Sequence, residues 1–175
     1  MGQAGSGGVT VARLNALPRD QAERELLTCC GSLTWAREVA AARPFADFES
    51  LLATADRVWR ALSPDEWLEA FSKHPRIGER AARATPELEG RWSEGEQSRA
   101  REGTPAVLTD LAMANAEYEN RFGHVFLICA SGKSAEEILE QARVRLHNDP
   151  DSELRVAAEE QRRITHLRLR KLLTQ

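Results

Sequence analysis

Apolar residues recur at helical spacing along almost the whole chain. Phe48, Leu51, Leu52, Ala55, Val58, Trp59 and Leu62 fall at i, i+3, i+4, i+7, i+10, i+11 and i+14, a single stripe that predicts one amphipathic helix. Ser63-Pro64-Asp65-Glu66 follows, with a capping serine, proline at the first helical position and glutamate at the third, so a new helix starts there. Trp67, Leu68 and Phe71 give it a short apolar face before it stops at Lys73-His74-Pro75. Similar spacing predicts helices from Pro18 to Cys30, from about Leu33 to Ala42, from Pro105 to Arg121, from Ser134 to about His147, and from Asp151 to the C-terminus. Ser134-Ala135-Glu136-Glu137 is a second capping box.

The segment from Val125 to Ala130 differs. It is β-branched and aromatic, with Gly123 before it and Gly132 after it, and it reads as a strand. No second run of this kind exists to pair with it, so it is expected as a buried extended or helical stretch inside a helical fold. The expected fold class is all-α: a single compact multi-helix domain over residues 11–175, with the Gly/Ser-rich residues 1–10 as a flexible lead-in.

Charge and composition narrow the function classes. The 175 residues carry 24 Lys+Arg against 27 Asp+Glu, a formal net charge of -3. That balance argues against a dedicated nucleic-acid binder, and 42% hydrophobic residues argue against a disordered chain. No apolar run reaches the length of a membrane-spanning helix. Cys29, Cys30 and Cys129 make no disulfide framework, and the opening residues lack the basic and apolar regions of a signal peptide, so a cytoplasmic protein is expected.

Polar chemistry concentrates between Lys73 and Arg101. Pro75 holds His74 out of the helical region, so the imidazole can point into a pocket or can simply complement the end of the preceding helix. Ser93-Glu94-Gly95-Glu96-Gln97 reads as a capping box that opens a helix. The same N-terminus also offers free N–H groups to an anion, and Glu96 and Gln97 add a carboxylate and an amide suited to ureido or imidazolinone groups. His124 follows Gly123, a good left-handed cap for the preceding helix. In the last helix Arg162, Arg163, Arg170 and Lys171 suit a solvated face. Arg168 instead lies four residues after Ile164 and four before Leu172, on the apolar stripe, where an arginine needs an anion, either a structural carboxylate or a substrate. The four histidines form no HExxH pattern, no CxxC exists, and phosphate-binding and nucleophile-elbow motifs are missing, so no metal site and no cofactor are expected.

Taken in order, His74-Pro75-Arg76-Ile77-Gly78, Ser93-x-x-Glu96-Gln97 and Tyr118-Glu-x-Arg121-Phe122-Gly123 leading into Phe126 to Ala130 resemble the 2-oxo-4-hydroxy-4-carboxy-5-ureidoimidazoline (OHCU) decarboxylase family. Ala42-Arg43-Pro44-Phe45, Arg145-Leu-x-Asn148 with Glu153-Leu154, and Ile164-Thr-x-Leu-Arg168-Leu also match, so the resemblance runs from about Leu14 to Leu173. It implies an all-helical homodimer that decarboxylates OHCU to (S)-allantoin without metal or cofactor, the third step of urate degradation after urate oxidase and hydroxyisourate hydrolase. By motif, His74 takes the place of the catalytic acid and Glu96 joins it. Pro75, Ser93, Glu94, Gly95, Gln97, Arg168 and the backbone of Phe126, Leu127, Ile128, Cys129 and Ala130 take the substrate-binding places. Arg76 and Ile77 stand where the family often has aspartate and leucine, and His124 where phenylalanine is common, so His124 is given no catalytic place. Two other functions share these residues: a hydrolase or isomerase acting on another ureido compound, and a helical interaction module docking through its basic last helix.

Overall fold

The computed structural model describes residues 11–77, 99 and 102–174. Eight helices lie among them: α1 (Ala12–Ala16), α2 (Arg19–Cys30), α3 (Leu33–Ala41), α4 (Phe48–Ala61), α5 (Pro64–Phe71), α6 (Pro105–Phe122), α7 (Ala135–Arg145) and α8 (Pro150–Leu173). The expected helices that fall among the described residues are present, with ends moved by one or two residues; the helix expected to open at Ser93 lies outside the described residues, and no strand occurs among them.

Local chemistry sets the boundaries. Asp47, Ser63 and Ser134 each close a reciprocal capping box at the start of α4, α5 and α7, while Ser32, Thr104 and Asp149 cap α3, α6 and α8 with their side-chain oxygens. Gly123 ends α6 at φ 77°, the left-handed conformation expected of it. The short α1 was not expected from the pattern. It buries Leu14 alone, so it shows no periodic stripe; long-range polar contacts hold it instead. Arg43 donates from Nη1 to the carbonyls of Leu14 (2.7 Å) and Leu17 (2.8 Å), and Asn15 exchanges two hydrogen bonds with the backbone of Phe45.

Tryptophans tie the first layer together, because a buried indole N–H must find an acceptor. Trp35 of α3 donates to Ala55 O, Trp59 of α4 to Ala158 O of α8, and Trp67 of α5 to Trp59 O, each at 3.0 Å. This layer, α1 to α5 with α8, forms one hydrophobic cluster; α6 and α7 form a second with Ile77.

Residues 124–130 run extended between the two clusters, and their side chains alternate between them. Leu127, with Val125 and Cys129 beside it, packs into the first, whereas Phe126, Ile128 and Ala130 belong to the second. The two-residue period that reads as a strand is therefore real, but helical layers rather than sheet neighbours receive it. Side chains supply the hydrogen bonds a sheet would have provided. Arg145 Nη1 donates to Leu127 O at 2.8 Å, and Cys129 N–H donates to Glu160 Oε2 at 2.7 Å.

Candidate active site

His74 stands three residues beyond the end of α5, with its N–H bonded to Phe71 O at 3.0 Å, so the helix delivers the imidazole to the seam between the clusters. There it lines a pocket with Pro75, Ile77, Ser131, Ile164 and the whole run from Phe126 to Ala130. Seven residues expected at the site on sequence grounds thus share one pocket: His74, Pro75, Phe126, Leu127, Ile128, Cys129 and Ala130. The wall they form offers peptide groups of an extended segment, a surface suited to a flat polar ligand. Ser93, Glu94, Gly95, Glu96 and Gln97 lie outside the described residues.

Helix α8 supplies the floor. Gln161, Ile164, Thr165 and Arg168 are buried on one face, at i, i+3, i+4 and i+7. Gln161 Oε1 lies 2.8 Å from His74 Nε2. Arg168, only 6% exposed, is close enough to act electrostatically on His74, Cys29 and Cys30. Burial first, and then the Arg168 guanidinium, push the His74 imidazole down to about 3, against the opposing effect of the Gln161 hydrogen bond. The family resemblance gives His74 the place of a catalytic acid; the described surroundings hold the resting ring neutral. Burial likewise drives the Cys29 thiol far up and the Cys30 thiol up to about 12.

A buried polar knot stands behind the pocket wall. Tyr118 donates a short hydrogen bond to Glu153 Oε1, which Arg145 also reaches at 2.5 Å, and Asn148 Nδ2 donates to Glu153 Oε2 at 2.8 Å. Arg145 lies over the Phe126 ring at 4.7 Å while holding Leu127 O. These motif residues position the wall rather than line the pocket. Arg76 forks onto Glu119 of α6 at 2.5 and 2.8 Å, and Asn115 Nδ2 donates to Ile77 O at 2.9 Å; together they pin the loop after His74 to α6.

Gln161, Glu160 and Ser131 are site or support residues that sequence reasoning did not single out, and Ile164 and Thr165 entered it only as part of a motif or of the apolar stripe. The spacing of Gln161 and Thr165 to Arg168 was the available signal, since all three share a face. Arg162 departs from its expected solvated place. It bridges Glu159 (2.7 Å) and Asp56 of α4 (3.0 Å), because the first layer packs against that edge of α8. His124 lies among Phe71, Tyr118 and Phe122 rather than in the pocket lining.

An all-helical domain with a histidine-headed pocket, a buried arginine nearby and a wall of extended peptide groups is suited to acting on a small polar molecule. Comparison with known proteins makes the class specific. The profile of the OHCU decarboxylase family matches residues 15–170, and the chain belongs to that family of carboxy-lyases. It is 38% identical over 153 residues to the uric acid degradation bifunctional protein TTL of Arabidopsis thaliana, covering 87% of this chain and 47% of that protein. It is 33% identical over 111 residues to the OHCU decarboxylase of Mus musculus, covering 57% of this chain and 62% of the other. The chain thus spans about half or less of the length of the bifunctional urate-degradation relatives. Among solved structures, an OHCU decarboxylase crystallised in the presence of (S)-allantoin superposes with a TM-score of 0.74 at 37% identity, over 86% of this chain and 98% of that one. An (S)-allantoin synthase shares the fold, with a TM-score of 0.70 at 20% identity over 94% of this chain and 54% of the other.

Proposed function

We propose that this chain decarboxylates OHCU to (S)-allantoin, with His74 as the group that moves the proton. The observation that carries the reading is the shared pocket: His74 faces the peptide wall of residues 126–130, with Arg168 acting on it electrostatically. The relatives named above, which degrade urate, support the substrate class.

The chemistry suits these groups. As CO2 leaves, the C–C bond pair moves into the adjacent ring C=N, and that nitrogen takes a proton. The hydroxyl then gives up its proton as the ring regains a C=O, and the ureido-bearing carbon receives one on a single face. The net change is one proton in place of one carboxylate. The ring itself accepts the electrons, so the proposal includes no cofactor. His74 rests neutral, so the anionic substrate draws its proton in by opposing the effect of Arg168. Such a positioned proton transfer contributes roughly 10²–10⁴-fold. Peptide groups of 126–130 orient the ureido and carbonyl groups, and Arg168 neutralises an anionic oxygen. Glu96 and its neighbours complete the binding set in this reading. A cytoplasmic homodimer belongs to the same proposal and rests on the family resemblance. No helix among the described residues is long and apolar enough to cross a membrane.

Urate converted by urate oxidase and hydroxyisourate hydrolase supplies the substrate for the test, followed by circular dichroism. A rapid rise of the (S)-allantoin signal that depends on this protein is expected. A slow, optically silent decay matching the blank, with the protein folded, overturns the reading.

A further inference from the structure

His74 is held by a side chain that is itself held. Thr165 Oγ1 lies 2.9 Å from the backbone carbonyl of Gln161, one turn back, and 3.3 Å from Gln161 Nε2. A hydroxyl has one proton, and the carbonyl can only accept, so the proton goes to the carbonyl. Toward the Gln161 side chain the hydroxyl is therefore an acceptor, which requires the amide NH2 to face it. The amide oxygen is then turned to His74 Nε2, at 2.8 Å, and an amide oxygen accepts only. Nε2 must carry the hydrogen.

We propose that Thr165 and Gln161 are positioning residues that lock His74 in the tautomer protonated at Nε2, leaving the Nδ1 lone pair as the proton acceptor for substrate. Gln161 is fully buried and Thr165 is 4% exposed, so water does not compete for either bond. Among the described residues, charged and titratable groups near this chain of bonds include Arg168 of the same helix, Cys30 of α2 beside Thr165, and Cys129 across the pocket. Arg168 disfavours a second proton on the ring. The Cys30 sulfur also lies within hydrogen-bond reach of the hydroxyl; whether the hydroxyl proton goes to it or to the carbonyl, the oxygen still accepts from the Gln161 amide.

The choice of an amide matters. A carboxylate at position 161 would fix the same tautomer but would pull the ring toward the imidazolium at rest. An amide fixes the ring without charging it, so the ring can gain and lose a proton within one turnover. Wrong-tautomer errors are expensive where they have been measured; in a serine protease triad the loss is about 10⁴-fold.

This inference rests on the proposed role of His74, but its first readout does not. Nitrogen-15 NMR of the imidazoles at neutral pH, with the His74 signals assigned by their loss in His74→Ala, distinguishes the two tautomers without any substrate. The expected pattern is a protonated Nε2 and a bare Nδ1 in the wild type and in Thr165→Ser, which keeps the hydroxyl. Thr165→Val and Gln161→Leu should show mixed tautomers. Gln161→Glu should keep the tautomer and raise the pH at which the ring titrates by one unit or more. In the OHCU assay, Thr165→Val and Gln161→Leu should lower kcat 10-fold or more with KM changed less than threefold, and Thr165→Ser should recover it. A wild-type ring protonated at Nδ1, or a pattern unchanged in both Thr165→Val and Gln161→Leu, overturns the lock. The expected NMR pattern without OHCU turnover leaves the lock standing and overturns the proposed function instead. Near-ultraviolet dichroism shows that each variant is folded, and Thr165→Ser with Gln161→Glu keeps the test alive should either apolar variant fail to fold.

Discussion

Arg145 Nη1 lies 2.8 Å from the carbonyl oxygen of Leu127, so a guanidinium on α7 fixes the backbone that walls the pocket. The same arginine meets Glu153 at 2.5 Å, and both side chains are almost wholly buried. Removing one partner leaves a charge in the interior without compensation. Arg145→Met should therefore cost about 3–5 kcal/mol in urea unfolding. Replacing both, as Arg145→Met with Glu153→Leu, should restore part of that stability while leaving OHCU turnover low, because Leu127 O has still lost its donor. Full recovery of activity in the double variant would show that the wall does not depend on Arg145.

His74 should tie stability to pH. In the unfolded chain the ring takes up its proton near pH 6.5, whereas in the fold it stays neutral down to about 3. The unfolded state thus binds the extra proton between these limits, and acid favours unfolding across that window. The slope is at most one proton, roughly 1.4 kcal/mol per pH unit. The contribution is best isolated between pH 6.5 and 5, above the ordinary carboxylate range. There His74→Phe should flatten the dependence of the urea midpoint on pH. An equal slope in both proteins would refute a neutral buried ring.

His74→Ala should fold and lose rapid, stereospecific allantoin formation, by roughly 10²-fold or more if proton transfer is its whole contribution. Near-normal activity in the folded variant would remove His74 from the mechanism.

The three cysteines should divide by reactivity. Cys29 and Cys30 are buried with thiols held in the protonated, unreactive form, whereas Cys129 is part-exposed on the pocket wall. A thiol reagent at neutral pH should modify one site in the native protein and three in urea. Modification at Cys129 should block the pocket and turnover with it. Native labelling of Cys29 or Cys30 by mass spectrometry would contradict this ordering.

Much of the architecture was legible because local rules wrote it. The stripe from Phe48 to Leu62, the capping boxes at Ser63 and Ser134 and the cap at Gly123 need no distant partner, and each appears where expected. Helix α1 and the role of Arg43 were not legible, because they depend on carbonyls brought close only by folding. His74, Pro75 and residues 126–130 could be named through the family resemblance, and the pocket gathers them. Gln161 could not: between Glu160 and Arg162 it looks like one more polar residue on a solvated helix. The one signal it carried was phase: it lies three residues before Ile164 and seven before Arg168, on the same buried face.

The extended segment from Val125 to Ala130 serves both hydrophobic clusters with alternate side chains, and so acts as a party wall between two rooms. Neither room can be dismantled without unsealing the other. The chain should accordingly melt in a single cooperative event, its calorimetric and van't Hoff enthalpies equal, rather than shedding α6 and α7 first. A charged residue at Ile128 should lower the melting temperature while keeping one transition, even though it touches only one cluster directly.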